Sequence, residues 1–162
     1  MLKDEDIDDE WKEQKTYRNL IDKIPGVREL ISTPFILSML VKVIPHLAKK
    51  MSSQKQLRLL TIDLYKEFVS QWIEKEMEKQ VGIVSANTVH LTYDEYFEYA
   101  VNLAQNMMGN DKTAVDAKDS RWKRFFDPHN QVIAQTLCGI PLSKIGNTYS
   151  FIHKSILEFF AV

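Results

Sequence analysis

The segment that most constrains the fold is the last one, Tyr149–Ala161, because its apolar residues change period within a few positions. Tyr149 and Phe151 alternate with their neighbours, as residues of a β-strand do. The next apolar residues recur at the spacing of a buried helix face: Ile152, Ile156, Phe159 and Phe160. The sequence therefore predicts a strand that passes into a helix, with His153 at the junction. The first turn of a helix offers unpaired N–H groups and a positive dipole end to an anion such as a phosphate.

The first half of the chain predicts three helices. The first spans 11–24, where apolar residues form one stripe. The second begins at Thr33-Pro34, because threonine caps free N–H groups and proline at the first helical position gives up no hydrogen bond. This helix is apolar on almost all sides, which predicts that neighbouring elements enclose it. The third begins near Thr61 and is expected to fade in the charged stretch 74–80.

The second half of the chain combines helices with a hairpin. Thr92 and Glu95 predict a capping box for a helix that ends at Gly109. The polar residues 110–119 predict a mobile loop. The remaining elements are a short helix at 121–126, a helix opened by residues 127–128 and closed at Gly139, and a tight hairpin with strands at 140–144 and 148–152 around Gly146-Asn147.

These elements predict a mainly α fold in two domains. Residues 1–85 are expected to form a helical bundle, in which the acidic residues 1–10 are disordered. Residues 86–162 are expected to form a winged-helix domain with one small C-terminal β-hairpin, which would be the wing. Glycine, serine and asparagine between 81 and 89 favour a connection between the two domains.

Composition excludes several classes of function. The net charge of −1 lacks the broad basic field that nonspecific nucleic-acid binding needs. A single cysteine, Cys138, cannot form an internal disulfide and favours a reducing, cytoplasmic location; we expect it to fill space before the hairpin. The longest apolar run, 34–47, is interrupted by Lys42 and Pro45 and is too short to cross a bilayer. We expect no secretion signal, because the chain does not open with a basic segment, an apolar core and a cleavage site.

The sequence has no catalytic motif for nucleotide hydrolysis. A phosphate-binding Walker A loop needs the pattern Gly-x-x-x-x-Gly-Lys-Ser/Thr, because glycines let successive backbone N–H groups close around the phosphates. The five glycines, at 26, 82, 109, 139 and 146, make no such pattern. No apolar strand ends in the paired carboxylates of a Walker B motif. The chain is therefore not expected to be an enzyme by itself, and its scattered histidines predict no metal site.

Three motifs resemble one family in the order in which that family has them. The string FIHKSILEFFA, 151–161, resembles the end of the winged-helix domain in NACHT-type signal-transduction ATPases of the STAND class. The strings LISTPFILSML, 30–40, and LYKEFVSQW, 64–72, resemble the start and a later helix of the helical domain that precedes it. The three motifs together span most of the chain.

The resemblance implies a regulatory, non-catalytic module. In that family the helical and winged-helix domains close over ADP like a lid, and ADP and ATP, with Mg²⁺, are held by an upstream P-loop domain in cis. Pro34 matches the proline that packs on the adenine, Thr33 lies beside it, and His153 matches the histidine that reaches the β-phosphate of ADP. Ser32 stands where related plant-type proteins have glycine. The module alone is expected to bind no nucleotide tightly, and the longer protein is expected to be an ATPase that assembles with copies of itself on activation.

Each of these residues also has a purely structural interpretation. Pro34 is favoured at a helix start without any nucleotide, His153 can support the hairpin, and Ser155 with Glu158 predicts a capping box. Two other functions stay open. Basic and aromatic residues alternate over 121–126, which suits a winged helix that binds nucleic acid, although inward aromatics on a solvated helix explain the same pattern. A helical scaffold that binds only protein is the third alternative.

Overall fold

A computed structural model of the chain describes residues 33–51, 61–81 and 89–162. The described part is mainly helical with one small antiparallel sheet, which confirms the predicted helical class. The chain forms two compact units whose boundary in the sequence lies between Phe68 and Val69. The elements are α1 (Pro34–Met51), α2 (Thr61–Val81), α3 (Tyr93–Gly109), β1 (Ala114–Asp116), a 3₁₀ helix (Ser120–Phe125), α4 (Gln131–Gly139), β2 (Leu142–Ile145), β3 (Thr148–Phe151) and α5 (Lys154–Ala161).

Three sequence predictions lie outside the described residues. They concern the disordered leader at 1–10, the helix at 11–24 and the domain boundary between 85 and 86. All three stay predictions.

Helix α1 begins where the sequence predicts. Thr33 Oγ1 accepts a hydrogen bond from the amide of Ile36 at 3.2 Å, which caps the helix that starts at Pro34. The expectation that α1 is enclosed on all sides is wrong, because Leu37 and Val41 are 40% and 41% exposed. The helix packs through one stripe, so residues between the stripe positions face outward even when they are apolar. The buried stripe consists of Ile36, Met39, Leu40, Val43 and Ile44.

Within the first unit, α1 contacts the beginning of α2. The rings of Phe35 and Phe68 meet edge to face, with centroids 6.4 Å apart. The imidazole of His46 contacts the carboxylate of Glu67. Helix α1 continues through Pro45, which cannot donate a backbone hydrogen bond. Packing on one side therefore keeps α1 helical where one link of its hydrogen-bond ladder is missing.

Helix α2 begins at the predicted residue but does not fade where expected. It continues through the charged stretch 74–80. The hydroxyl of Ser70 donates to the Glu74 carboxylate at 2.8 Å, and Lys79 pairs with Glu76. Pairs three or four residues apart stabilise a helix by about 0.2–0.5 kcal/mol each. A charged, solvent-facing stretch can therefore extend a helix that the buried residues have started.

The capping box of α3 is confirmed. The amide of Glu95 donates to Thr92 Oγ1 at 3.3 Å, and the amide of Thr92 donates to Glu95 Oε2 at 2.7 Å. The hydrogen bonds that Thr92 donates, first from its backbone and then from its hydroxyl, hold the pKa of the Glu95 carboxyl below its usual range. The helix ends at Gly109, as predicted. Its buried face consists of Tyr96, Ala100, Leu103, Ala104 and Met107.

The predicted C-terminal hairpin is confirmed as β2 and β3. Leu142 pairs with Phe151 and Ile145 with Thr148. Gly146, the first residue of the turn, has a φ of 63°, in the left-handed region that glycine adopts without strain. A two-residue hairpin turn needs a positive φ at such a position, because this backbone geometry fits the twist of the two strands.

A third strand, β1, was not predicted. It lies inside residues 110–119, so the loop predicted there is wrong at 114–116. β1 pairs antiparallel with β3, which is the middle strand in the order β1-β3-β2. Only Val115 in this strand is buried, at 3% exposure. The three residues alternate exposed, buried and exposed, a run too short to be recognised as a strand in the sequence. Pairing with the edge of β3 makes it one.

The 3₁₀ helix occupies the place of the short helix predicted at 121–126. The hydroxyl of Tyr99, in α3, donates a hydrogen bond to the carbonyl oxygen of Phe125. Burial raises the pKa of Tyr99, so the hydroxyl keeps the proton that this bond needs. The bond ties the 3₁₀ helix to α3.

Helix α4 starts later than the sequence suggests, and Cys138 is not where it was expected. The cap is Asn130, whose Oδ1 accepts from the amide three residues on at 3.2 Å, so residues 127–128 precede the helix rather than open it. Cys138 is exposed, which corrects the expectation that it fills space before the hairpin. The helix buries Thr136 and Gly139 instead.

Gly139 is the position where α4 tolerates a side chain least. A Cβ placed there would lie 2.1 Å from Cε1 of Tyr96, which is itself fully buried. We predict that Gly139→Ala lowers the free energy of unfolding by about 1–3 kcal/mol, because an overpacked core must shift its side chains. Urea unfolding followed by circular dichroism measures this change.

Gly109→Ala is the matched control. A Cβ at Gly109 meets nothing within 4 Å, so this substitution should leave the free energy of unfolding unchanged or raise it by about 0.5–1 kcal/mol. Equal effects of the two substitutions would contradict the close approach of α4 to Tyr96.

Candidate functional site

His153 lies at the strand-to-helix junction that the sequence predicts. β3 ends at Phe151 and α5 begins at Lys154. His153 has the extended backbone φ −153° and ψ 149° and is the N-cap residue of α5. Its carbonyl oxygen accepts from the amides of Ile156 and Leu157 at 3.0 and 3.3 Å. These bonds fix the backbone of His153 at the start of the helix, and its side chain is half-buried.

Aromatic packing holds α5 in place. The helix has eight residues, fewer than an isolated helix needs to be stable in water. Phe160 is 1% exposed, and its ring lies 5.3 Å from that of Phe97 in α3 and 5.6 Å from that of Phe151 in β3, between centroids. Ile156 and Leu157 are buried beside it. The position of the cap therefore depends on the contacts of α5 with α3 and β3.

The ring of His153 caps the helix through one nitrogen. The amide of Ser155 donates a hydrogen bond to Nδ1 at 3.2 Å. The Oγ atom of Ser155 lies 2.7 Å from the same Nδ1. Imidazole has a second nitrogen, and a ring that accepts at Nδ1 carries its proton on Nε2.

This arrangement corrects the predicted role of Ser155. Ser155 and Glu158 do not form a capping box, because the cap is His153, two residues earlier. Glu158 instead pairs with Lys154 at 3.3 Å, one turn away on the same helix. The contact of Ser155 with the imidazole is a feature that the sequence analysis missed. The signal was its spacing, since the second residue after a cap has its amide directed at the cap side chain.

Pro34 and Thr33 lie together at the start of α1, and both are exposed. The hydroxyl oxygen of Thr33 is engaged by the amide of Ile36. Both residues belong to the first compact unit, whereas His153 belongs to the second. Their predicted meeting at one nucleotide stays a prediction.

The basic residues of the 3₁₀ helix are partly engaged by neighbours. The guanidinium of Arg121 donates two hydrogen bonds to the carboxylate of Asp119, from Nε to Oδ1 at 3.2 Å and from Nη2 to Oδ2 at 2.6 Å. These hydrogen bonds hold the pKa of Asp119 below its usual range. Arg124 bonds to Asn106 and lies 4.8 Å from the centroid of the Phe125 ring. The aromatic residues turn inward, as the solvated-helix interpretation expects: Trp122, Phe125 and Phe126 are buried.

The described residues include neither a cluster of metal-binding side chains nor a helix that could cross a membrane. Across 33–51, 61–81 and 89–162, no three His, Cys, Asp or Glu side chains are grouped so that they could hold a metal ion. None of the helices in this part of the chain has the length and apolar character that crossing a membrane requires.

Comparison with known proteins leaves the family open. No model of a known protein family matches the sequence, and no similar curated protein is found. The site residues and their contacts are thus the basis for a functional assignment.

The cap at His153 makes a prediction about stability. His153→Ala removes the acceptor for the amide of Ser155, which should lower the free energy of unfolding by about 0.5–2 kcal/mol. His153→Ser supplies a good cap without an imidazole and should unfold at nearly the wild-type urea concentration. Glu158→Gln, which alters α5 without touching the cap, is the control. Equal destabilisation by alanine and serine would argue that the ring contributes packing rather than a cap.

Proposed function

We propose that this chain is a non-catalytic regulatory module of a NACHT-type STAND ATPase. Its helical and winged-helix domains would close over ADP that an upstream P-loop domain binds with Mg²⁺. The observation that carries the proposal is the position of His153: the histidine of the motif is the cap of a helix that follows directly from a strand.

The order of elements in the second unit supports the winged-helix part of the proposal. Helix α3, strand β1, the 3₁₀ helix, helix α4 and the hairpin β2-β3 follow one another, and β3 is the central strand. Three helices and three short strands in this order suit a winged helix, with the hairpin as the wing. Helix α5, which carries the motif, then follows the wing.

The chemistry of His153 suits a phosphate better than the bare helix start does. Three amides of the first turn already have partners, because those of Ser155, Ile156 and Leu157 bond to the ring or the carbonyl of His153. The positive dipole end of α5 still favours an anion nearby. An Nε2–H donor can hydrogen-bond to a phosphate oxygen. The proposed phosphate contact therefore depends on the N–H group of the imidazole and not on the backbone N–H groups of the first helical turn.

The switching role follows from unequal binding. A nucleotide shifts a conformational equilibrium only by the difference in its affinity for the two states. A histidine on a movable domain that contacts the β-phosphate adds affinity to the closed state alone. By the resemblance, Pro34 and Thr33 would contact the adenine, and release of ADP would free the domains for assembly with further copies. The same proposal places the protein in the cytoplasm, where the exposed thiol of Cys138 stays reduced.

His153→Ser in the longer protein tests the proposal. The serine keeps the helix cap and removes the longer imidazole with its Nε2–H, so ADP should dissociate about ten-fold faster or more, as expected for the loss of one hydrogen bond to a charged group. Chromatography of the nucleotide extracted after purification, and the release rate of labelled ADP, measure the effect. Glu158→Gln should retain ADP like the wild type. Unchanged retention in His153→Ser would refute the role of the histidine.

A nucleic-acid-binding winged helix is the second candidate, favoured by the exposure of Lys123 and Arg124. Three observations disfavour it. Helix α4, which would be the recognition helix, carries no lysine or arginine, Arg121 is held by Asp119, and the aromatic side chains are buried.

A fluorescence titration with duplex DNA separates the two candidates. We expect no saturable binding at low salt and no difference between the wild type and Arg124→Ala. An affinity that falls steeply with added salt and weakens in Arg124→Ala would instead establish a phosphate-binding surface.

A further inference from the structure

We infer that Ser155 is a positioning residue, which sets the tautomer and orientation of the His153 ring. The inference rests on the proposed function, since it concerns how that histidine would present a donor to phosphate. It starts from two contacts that one residue makes with one nitrogen: the amide and the hydroxyl of Ser155 lie 3.2 and 2.7 Å from Nδ1 of His153.

The amide contact decides which nitrogen carries the proton. A backbone N–H can only donate, so Nδ1 must accept with its lone pair. An imidazole that accepts at Nδ1 has its proton on Nε2. The backbone of α5 therefore favours the tautomer of His153 that carries its proton on Nε2.

The hydroxyl contact acts in the same direction. Because Nδ1 carries no proton, it cannot donate to Oγ of Ser155, and the hydroxyl donates to Nδ1 instead. Their 2.7 Å separation is an ordinary distance for a hydrogen bond donated by a hydroxyl. The next two residues, Ile156 and Leu157, are buried, so the core fixes the backbone from which the Ser155 hydroxyl extends. One serine thus holds the ring with two donors.

The consequence concerns the phosphate. A ring protonated at Nε2 offers that nitrogen as a donor, which a phosphate oxygen requires. The other tautomer would direct a lone pair at the phosphate and repel it. If the hydroxyl of Ser155 had no effect on the ring, its removal would leave the tautomer ratio unchanged. The ratio of the two His153 tautomers therefore distinguishes a positioning role of Ser155 from a role in packing alone.

The test is nuclear magnetic resonance of the 162-residue chain itself. Long-range ¹H–¹⁵N correlation spectra distinguish the protonated from the unprotonated ring nitrogen of each histidine. In the wild type we expect His153 to be protonated at Nε2 and unprotonated at Nδ1. Ser155→Ala keeps the amide donor and removes the hydroxyl, so the ratio of the two tautomers should fall about five-fold, the change that corresponds to one hydrogen bond of about 1 kcal/mol.

Two further variants complete the experiment. Ser155→Thr restores a hydroxyl and should return the wild-type ring spectrum. Glu158→Gln lies on the same helix and breaks the pair with Lys154, yet it should leave the ring nitrogens unchanged. Far-UV circular dichroism checks that each variant keeps its helices.

The outcomes separate this inference from the proposed function. A wild-type ring protonated at Nδ1, or a Ser155→Ala ring identical to the wild type, overturns the positioning role whatever the chain binds. A different outcome is that the spectra change as expected while His153→Ser in the longer protein retains ADP like the wild type. In that case the positioning role of Ser155 stands and only the proposed nucleotide contact is refuted.

Discussion

The packing of Phe160 between α3 and β3 is the contact on which the candidate site depends. Helix α5 has only two turns, so its own hydrogen bonds cannot hold it. Phe160 connects it to Phe97 of one helix and Phe151 of the central strand. The strand and the helix are thereby held at a fixed angle, and the residue between them, His153, has little freedom. A polar site is placed here by an apolar interaction a few residues away.

The two interpretations of His153, helix cap and phosphate contact, are compatible because they use different nitrogens. The cap uses Nδ1, to which Ser155 donates. The phosphate contact would use Nε2. A capping histidine that accepts at Nδ1 has an N–H at its other ring nitrogen, whereas an aspartate cap would supply only acceptors. This is a physical reason for a histidine at a position where smaller polar residues are the usual caps.

The local signals in the sequence predicted the local structure well. The capping box at Thr92, the helix start at Pro34 and the glycine turn at Gly146 were all confirmed, because each depends on atoms within four residues. Two local signals were wrong, the capping box at Ser155 and Glu158 and the helix start at 127–128. Further errors arose where a distant partner decided the outcome. β1 needed the edge of β3, Cys138 depended on which face of α4 is buried, and the exposed Leu37 depended on how much of α1 has a neighbour.

For the site itself, the sequence alone determined that a strand meets a helix at His153, since the change of hydrophobic period is encoded in consecutive side chains. It also excluded a phosphate-binding loop, which needs glycines at fixed spacing. Only the tertiary structure decided that the imidazole caps α5 through Nδ1 and that Ser155 holds it there. Hydrogen-bond direction depends on ångström-scale geometry, and this geometry exists only once α5 is packed against α3 and β3.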